Sequence, residues 1–158
     1  MNGKGVYKWK SGSTYEGEFE KSKFHGKGSV KWSSGTRYTG DFQNNQYHGQ
    51  GVFTWKNGRR YTGQFAKGRQ NGKGKFEWPN GSTYEGEFQA GKRHGEGTFK
   101  WADGRVYEGV FEKNNPVKGN LTFPDGSQLA GIWKRLSDIP KKNRQDQPQA
   151  PTPENSQD

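Results

Sequence analysis

The chain contains no cysteine and a single methionine. This excludes a disulfide framework, a thiolate nucleophile and a thiolate-ligated metal site. Long apolar runs are missing as well. No window approaches the eighteen or so apolar residues of a spanning helix, and the opening stretch MNGKGVYKWK has no signal-like apolar segment. The expectation is a cytoplasmic protein. Aliphatic residues are scarce too: Leu, Ile, Val and Phe together supply 21 of 158 residues, against a net charge of +10. That balance falls where chains usually fail to bury enough apolar surface to fold. Yet 23 residues are aromatic, and disordered chains are poor in rings. Either the rings build a core with little aliphatic help, or they stand exposed as stacking groups.

Internal repetition decides between these. Tyr15, Tyr38, Tyr61, Tyr84 and Tyr107 are each 23 residues apart, as are Gly17 to Gly109 and Phe19 to Phe111 in the same phase. A second block keeps that period through Gly5, Gly28, Gly51, Gly74 and Gly97, followed by Trp9, Trp32, Trp55, Trp78 and Trp101. Within each block the marked residues alternate, which is the period of a strand whose two faces differ. Each unit therefore predicts two strands joined by a turn: KSG, SSG, KNG, PNG, ADG or PDG. A two-residue Asn-Gly turn is one reading. Pro79 and Pro124 favour a three-residue loop instead, with glycine left-handed at its third position. That loop sets Phe53 opposite Tyr61 and Gly51 opposite Gly63, which gathers every marked residue on one face. A shift of one would scatter Trp and Tyr to opposite faces. Glycine beside ring then has a reason, because paired glycines leave room for rings to lie over the backbone.

The predicted fold is all-β. It is a single-layer, elongated antiparallel meander of about six repeated hairpins spanning residues 1–136, with a disordered polar tail at 137–158. Repeats start near residues 15, 38, 61, 84 and 107, with partial units at both ends. Short linkers such as EKSKFH join the hairpins, and Ser22, Asn45, Gly68 and Gly91 share a slot that suggests left-handed backbone. The sixth unit departs from the pattern: Val117 replaces a glycine, Leu129 a tyrosine, Trp133 a phenylalanine, and one residue is lost near Asn115. Atypical end units are expected of an array whose units are stabilised by their neighbours. Leu136 and Ile139 could add a short helical turn.

The motif Y-x-G-x-F…H-G-x-G-x-φ-x-W-x-x-G, as in Tyr84–Gly104, resembles the membrane occupation and recognition nexus (MORN) repeat over residues 1–133. The resemblance implies a non-catalytic scaffold of the cytoplasm, at the cytoskeleton or a membrane, without a cofactor. It names no partner.

Several residue patterns invite chemistry and lose it on inspection. His25, His48 and His94 share a slot with Asn71. Equivalent residues two strands apart lie about 9.6 Å from one another, too far to share a zinc ion with ligand bonds of about 2.1 Å. A neutral hydrogen bond to linker backbone is expected instead, and no metal site. Glu16 with Glu18, and Glu85 with Glu87, are spaced by the strand period alone, and the Gly-x-Gly elements lack the following helix of a phosphate loop.

What remains is binding. The candidate partner-binding face comprises Trp9, Tyr15, Trp32, Tyr38, Phe53, Trp55, Tyr61, Trp78, Tyr84, Trp101 and Tyr107, with a protein segment, a peptide or a second copy of the chain lying along it. Basic residues at the edges, Arg37, Lys56, Arg59, Arg60, Lys67, Arg69, Lys92 and Arg93, are candidates for contact with an acidic surface or an anionic phospholipid membrane. Nucleic-acid binding is disfavoured, because the rings are committed to packing.

Overall fold

Backbone pairing carries this fold from end to end. The structure, a computed structural model, describes residues 2–142. It holds β1 (Gly3–Lys8), β2 (Thr14–Glu20), β3 (Lys23–Lys31), β4 (Arg37–Gln43), β5 (Gln46–Thr54) and β6 (Arg60–Ala66). After these come β7 (Arg69–Glu77), β8 (Thr83–Gln89), β9 (Lys92–Lys100), β10 (Val106–Glu112), β11 (Asn115–Thr122) and β12 (Gln128–Ile132). All twelve pair in chain order in one open antiparallel sheet, about 58 Å across at about 4.8 Å per strand before twist.

The odd-to-even turns are the three-residue loops that the proline positions favour. Trp55 N–H donates to Arg59 O at 2.8 Å, Gly58 N–H donates to Trp55 O at 3.0 Å, and Gly58 has φ +95°. The same pair of bonds closes every such turn from Trp9 to Phe123. Asn or Asp in the middle of the loop adds a further bond. Asn57, Asn80, Asp103 and Asp125 each accept the amide two residues on, at 2.8–3.1 Å. The resulting register sets Phe53 opposite Tyr61, Gly51 opposite Gly63 and Gly49 opposite Phe65.

The supposed linkers are themselves hairpin turns, and the strands run through them. Two residues at each tip have positive φ: Lys21 and Ser22, Asn44 and Asn45, Lys67 and Gly68, Ala90 and Gly91, Lys113 and Asn114. That is the type I′ geometry of a two-residue hairpin. A side chain in left-handed backbone costs roughly 1–2 kcal/mol, and here each turn is held by the turn before it. Asn45, Gly68, Gly91 and Asn114 donate their amides to Phe24, Tyr47, Gln70 and Arg93 carbonyls at 2.9–3.1 Å. The amides of Lys21, Ala90 and Lys113 go to Asn2, Asn71 and His94. The histidine slot thus receives turn backbone at His94, while His25 lies 3.0 Å from Glu20.

Directly after each of these turns the strand bulges. Gly17 pairs with Gly28 and Phe19 with Phe24, so three residues of β3 face Glu18 alone. The Glu18 carboxylate accepts the Lys27 amide at 2.5 Å, and Asp41, Gln64 and Glu87 do the same for Gln50, Lys73 and Glu96. A neutral glutamine serves as well as an acid, so the slot needs an acceptor rather than a charge. The first glycine of each H-G-x-G motif follows from this bulge. Gly72 has φ +93°, and a Cβ there would lie 2.2 Å from the Gln64 amide oxygen. Val110 and Val117 occupy the acceptor and glycine slots of the last repeat, and there the bulge loses one residue.

The core is a single sheet of rings on one face. Each phenylalanine of the Y-x-G-x-F motif stands edge-on to the tyrosine of its own unit and, from Phe42 on, to the tyrosine of the unit before. Phe65, for example, lies 5.0 Å from Tyr61 and 5.2 Å from Tyr38. The chain of T-shaped contacts runs from Phe19 through Tyr107 to Trp133. Each such pair contributes about 0.5–1.5 kcal/mol beyond area burial. Beneath the tyrosines lie the glycine pairs. A Cβ on Gly74 would fall 2.3 Å from the Tyr61 hydroxyl and 2.5 Å from its ring carbons. At the C-terminal end Leu129 stands where a tyrosine is due, and Trp133 folds back over Gly131 to fill that place. A 3-10 turn, Leu136–Asp138, follows, and Ile139 is buried in the core. Packed structure therefore extends past the boundary expected at 136. The tail expected to be disordered lies, from residue 143 on, outside the described residues.

Gly74→Ala has an ordinary φ and meets the Tyr61 ring. Overpacking of this kind costs about 1–3 kcal/mol, so the midpoint of urea unfolding should fall while the same substitution at the open position Gly35 acts through its φ of +101° alone. An unchanged midpoint for Gly74→Ala would contradict the ring-over-glycine contact.

Candidate interaction face

Two rows of rings share the apolar face, and they differ in access. Tyr15, Tyr38, Tyr61, Tyr84 and Tyr107 have no exposed surface at all. The sequence pattern places them in the partner-binding set, and the structure corrects this: they form the floor of the face and cannot touch a partner. Their hydroxyls are also occupied, donating to the carbonyls of Glu18, Asp41, Gln64, Glu87 and Val110 at 2.6–3.1 Å. Those carbonyls sit at the bulges, so ring, glycine pair and bulge form one locked unit. Burial pushes the Tyr84 phenol up to about 12 and raises those of Tyr38 and Tyr61 as well.

The accessible row lies nearer the three-residue turns. Phe53, Trp55, Phe76, Trp78, Phe99 and Trp101 contact one another in succession at centroid distances of 4.4–5.4 Å, Phe99 alone of these being buried. Trp32 joins the ladder through Phe53 at 5.6 Å. These tryptophans are half-buried, and Trp9 is 37% exposed. The ladder breaks between Trp9 and Trp32, because Val30 occupies the position that Phe53, Phe76 and Phe99 fill in later units. The missing ring leaves a cavity of about 370 Å³ lined by Trp9, Phe24, Val30, Trp32 and Tyr47.

Basic residues divide by location. Arg37, Lys56, Arg59, Arg60, Lys67, Arg69 and Lys92 are exposed. Arg93 is not an edge cation: its guanidinium lies among the rings of Trp78, Tyr84, Phe99 and Phe111 at 5.7–5.9 Å from each centroid. Arg105, which follows the three-residue turn at Asp103 and Gly104, is 5% exposed and sits 4.3 Å over Trp101. It bridges to Asp103 at 2.8 Å and donates to Ile139 and Pro140 carbonyls at 3.3 Å, which pins the C-terminal turn to the array. Arg93 is half-buried and Arg105 buried, and neither is visible in composition, since both follow from which face a strand position presents. The opposite face is polar, and across it Lys27 pairs with Asp41 at 2.5 Å. Burial opposes ionisation of Asp41, but the bonds from Lys27 and the Gln50 amide outweigh it and hold its carboxyl below the usual range.

A family model described as the MORN repeat matches residues 1–14, 15–37, 38–59, 61–83 and 84–104. An array of glycine-floored hairpins matched over most of its length defines the class: the chain belongs to the MORN repeat family, which is a non-catalytic repeat family. Among curated proteins nothing matches. Among solved structures, the chain is similar to the TCP domain of SAS-4 (dCPAP) of Drosophila melanogaster, in complex with a proline-rich motif of Ana2 (dSTIL). The two share 13% identity and a TM-score of 0.51, over 79% of this chain and 68% of that one.

The buried phenols set an alkaline limit. Below pH 10 folded and unfolded chains both keep the phenolic proton. Above it the unfolded chain releases protons that the folded chain holds, so stability falls as pH rises toward 12. Tyrosinate absorbance should therefore rise together with loss of the β-sheet circular dichroism signal. Full ionisation near pH 10 with the sheet intact would contradict the buried floor.

Proposed function

We propose that this chain is a cytoplasmic scaffold that binds an extended protein segment along its ring-bearing face. The observation that carries the reading is the ladder from Trp32 to Trp101, whose tryptophans are half-exposed, standing on a floor of fully buried tyrosines and ending at the cavity beside Val30. A sheet whose core is one-sided leaves its outer rings facing water. An apolar surface of that extent on a single chain marks an interaction site. The floor keeps the ladder rigid, so little conformational entropy is lost when a partner settles on it. The structural neighbour's complex with a proline-rich motif supports the reading at the level of fold.

The edge cations support a weaker second reading, contact with anionic lipid. Arg37, Lys56, Arg59 and Arg60 lie at the three-residue turns, whereas Lys67, Arg69 and Lys92 lie at the opposite strand ends. A flat bilayer would meet one edge at a time, at about 1 kcal/mol per residue, and the ring ladder would have no role.

Panning a random-peptide library on the immobilised chain tests the first reading. Enriched peptides should lose about tenfold or more in affinity when Val30→Phe fills the cavity, a substitution that completes the ladder rather than opening the core. Arg37→Gln with Arg60→Gln should change affinity by only a few-fold. Peptides that bind Val30→Phe undiminished but fail on the arginine variant would contradict the proposal, and salt-sensitive pelleting with phosphatidylserine vesicles would then favour the edges.

A further inference from the structure

We propose that Arg93, with Arg59 beside it, is a recognition site for an Asp or Glu side chain of the bound segment. This inference rests on the partner-binding reading of the ring face and names the chemistry of the partner.

Arg93 stands in a slot that varies from unit to unit. Its equivalents are Phe24, which stacks on Tyr15 at 3.8 Å, Tyr47, which stacks on Tyr38 at 4.2 Å, then Gln70 and Pro116. Each can cover a tyrosine without carrying a charge. Arg93 covers Tyr84 with a cation enclosed by four rings, and burial lowers its pKa below the ordinary value. Its Nη2 donates to Asn114 O at 2.9 Å, while Nε is buried without a hydrogen-bond partner. Arg93 forms no ion pair among the described residues.

Arg105 shows what the same arrangement looks like when complete. It is a guanidinium buried on a tryptophan, where Arg93 is half-buried with only its Nε fully enclosed, and it has a carboxylate at 2.8 Å and two carbonyls. A buried cationic donor left unpaired bears its desolvation penalty in full, and buried charges are paired as a rule. Arg93 opens instead onto a cavity of about 230 Å³ bounded by Arg59, Gln70, Phe76, Trp78 and Asn114, with no carboxylate in its lining. Two guanidinium groups and aromatic walls fit a carboxylate that arrives with the partner. The planar fork of arginine accepts it in a defined orientation, and the rings exclude water that would weaken the bond. Val30 and Arg93 lie on β3 and β9, six strand spacings or about 29 Å apart across the sheet, and in opposite halves of their strands. A segment running along the ladder would thus present its apolar anchor and its acid at separate points of the face.

The test uses peptides selected on the whole chain, each made with its recurrent acid and with Gln at that position. The acid form should bind wild type about tenfold tighter than the Gln form, and the two should bind Arg93→Gln equally. Arg93→Lys should recover part of the preference. Should Arg93→Gln fail to fold by circular dichroism, Arg93→Met, whose straight stem keeps the ring packing, takes its place. The side-chain ¹⁵Nε resonance of Arg93 should shift on adding the acid peptide and not on adding its Gln twin. Selected peptides with no fixed acid, or a preference that survives Arg93→Gln, would overturn this site while leaving the proposed binding face intact. If wild type selects no peptides at all, both fall.

Discussion

The contact on which this fold depends is a tyrosine ring lying on a pair of glycines. Each tyrosine covers two backbones that have no side chains to lift it, and its hydroxyl reaches the carbonyl at the neighbouring bulge, as Tyr61 does to Gln64 at 2.7 Å. An ordinary antiparallel sheet with one wet face buries its other face against a second layer. Among the described residues there is no second layer. Flattening the rings onto bare backbone lets one layer of side chains serve as the core, with the phenylalanines wedged edge-on between successive tyrosines. That solves the problem posed by a chain with so few aliphatic residues, and it explains why glycine and aromatic residues are abundant together.

The same contact has a functional consequence. Because, among the described residues, only the C-terminal turn packs above the rings, the outermost ones elsewhere remain accessible, and variation between repeats is displayed on that face. Val30 in a column of phenylalanines makes a cavity, and Arg93 in a column otherwise uncharged makes a cationic notch. The repeated residues build the platform, and the departures from the repeat distinguish one stretch of it from another. On the proposed binding reading, specificity resides where the period fails.

Legibility from sequence follows the same division. The strand period, the three-residue loops and the single apolar face can be read because one residue choice, such as Pro79 at the head of a turn, fixes one backbone geometry. The type I′ turns are half legible: Gly68 and Gly91 signal left-handed backbone, but Lys67 and Ala90 before them do not, since their strain is offset by hydrogen bonds from the preceding repeat. The bulge cannot be read from spacing, although Glu18, Asp41, Gln64 and Glu87 in one column are its trace. At the face, membership is legible and depth is not. Tyrosine and tryptophan share a side of the sheet, yet only the packing angle of each ring decides which is floor and which is surface.

The glycine α-protons report the central contact most directly. In a proton NMR spectrum of the folded chain, Gly28, Gly51, Gly74, Gly97 and Gly119 each hold one α-proton against the face of a tyrosine ring. Ring-current shielding should move those five resonances upfield of the usual glycine range, and replacing Tyr61 by Leu should return that of Gly74 alone. Five glycines with ordinary shifts, in a chain that is otherwise folded sheet, would contradict the account.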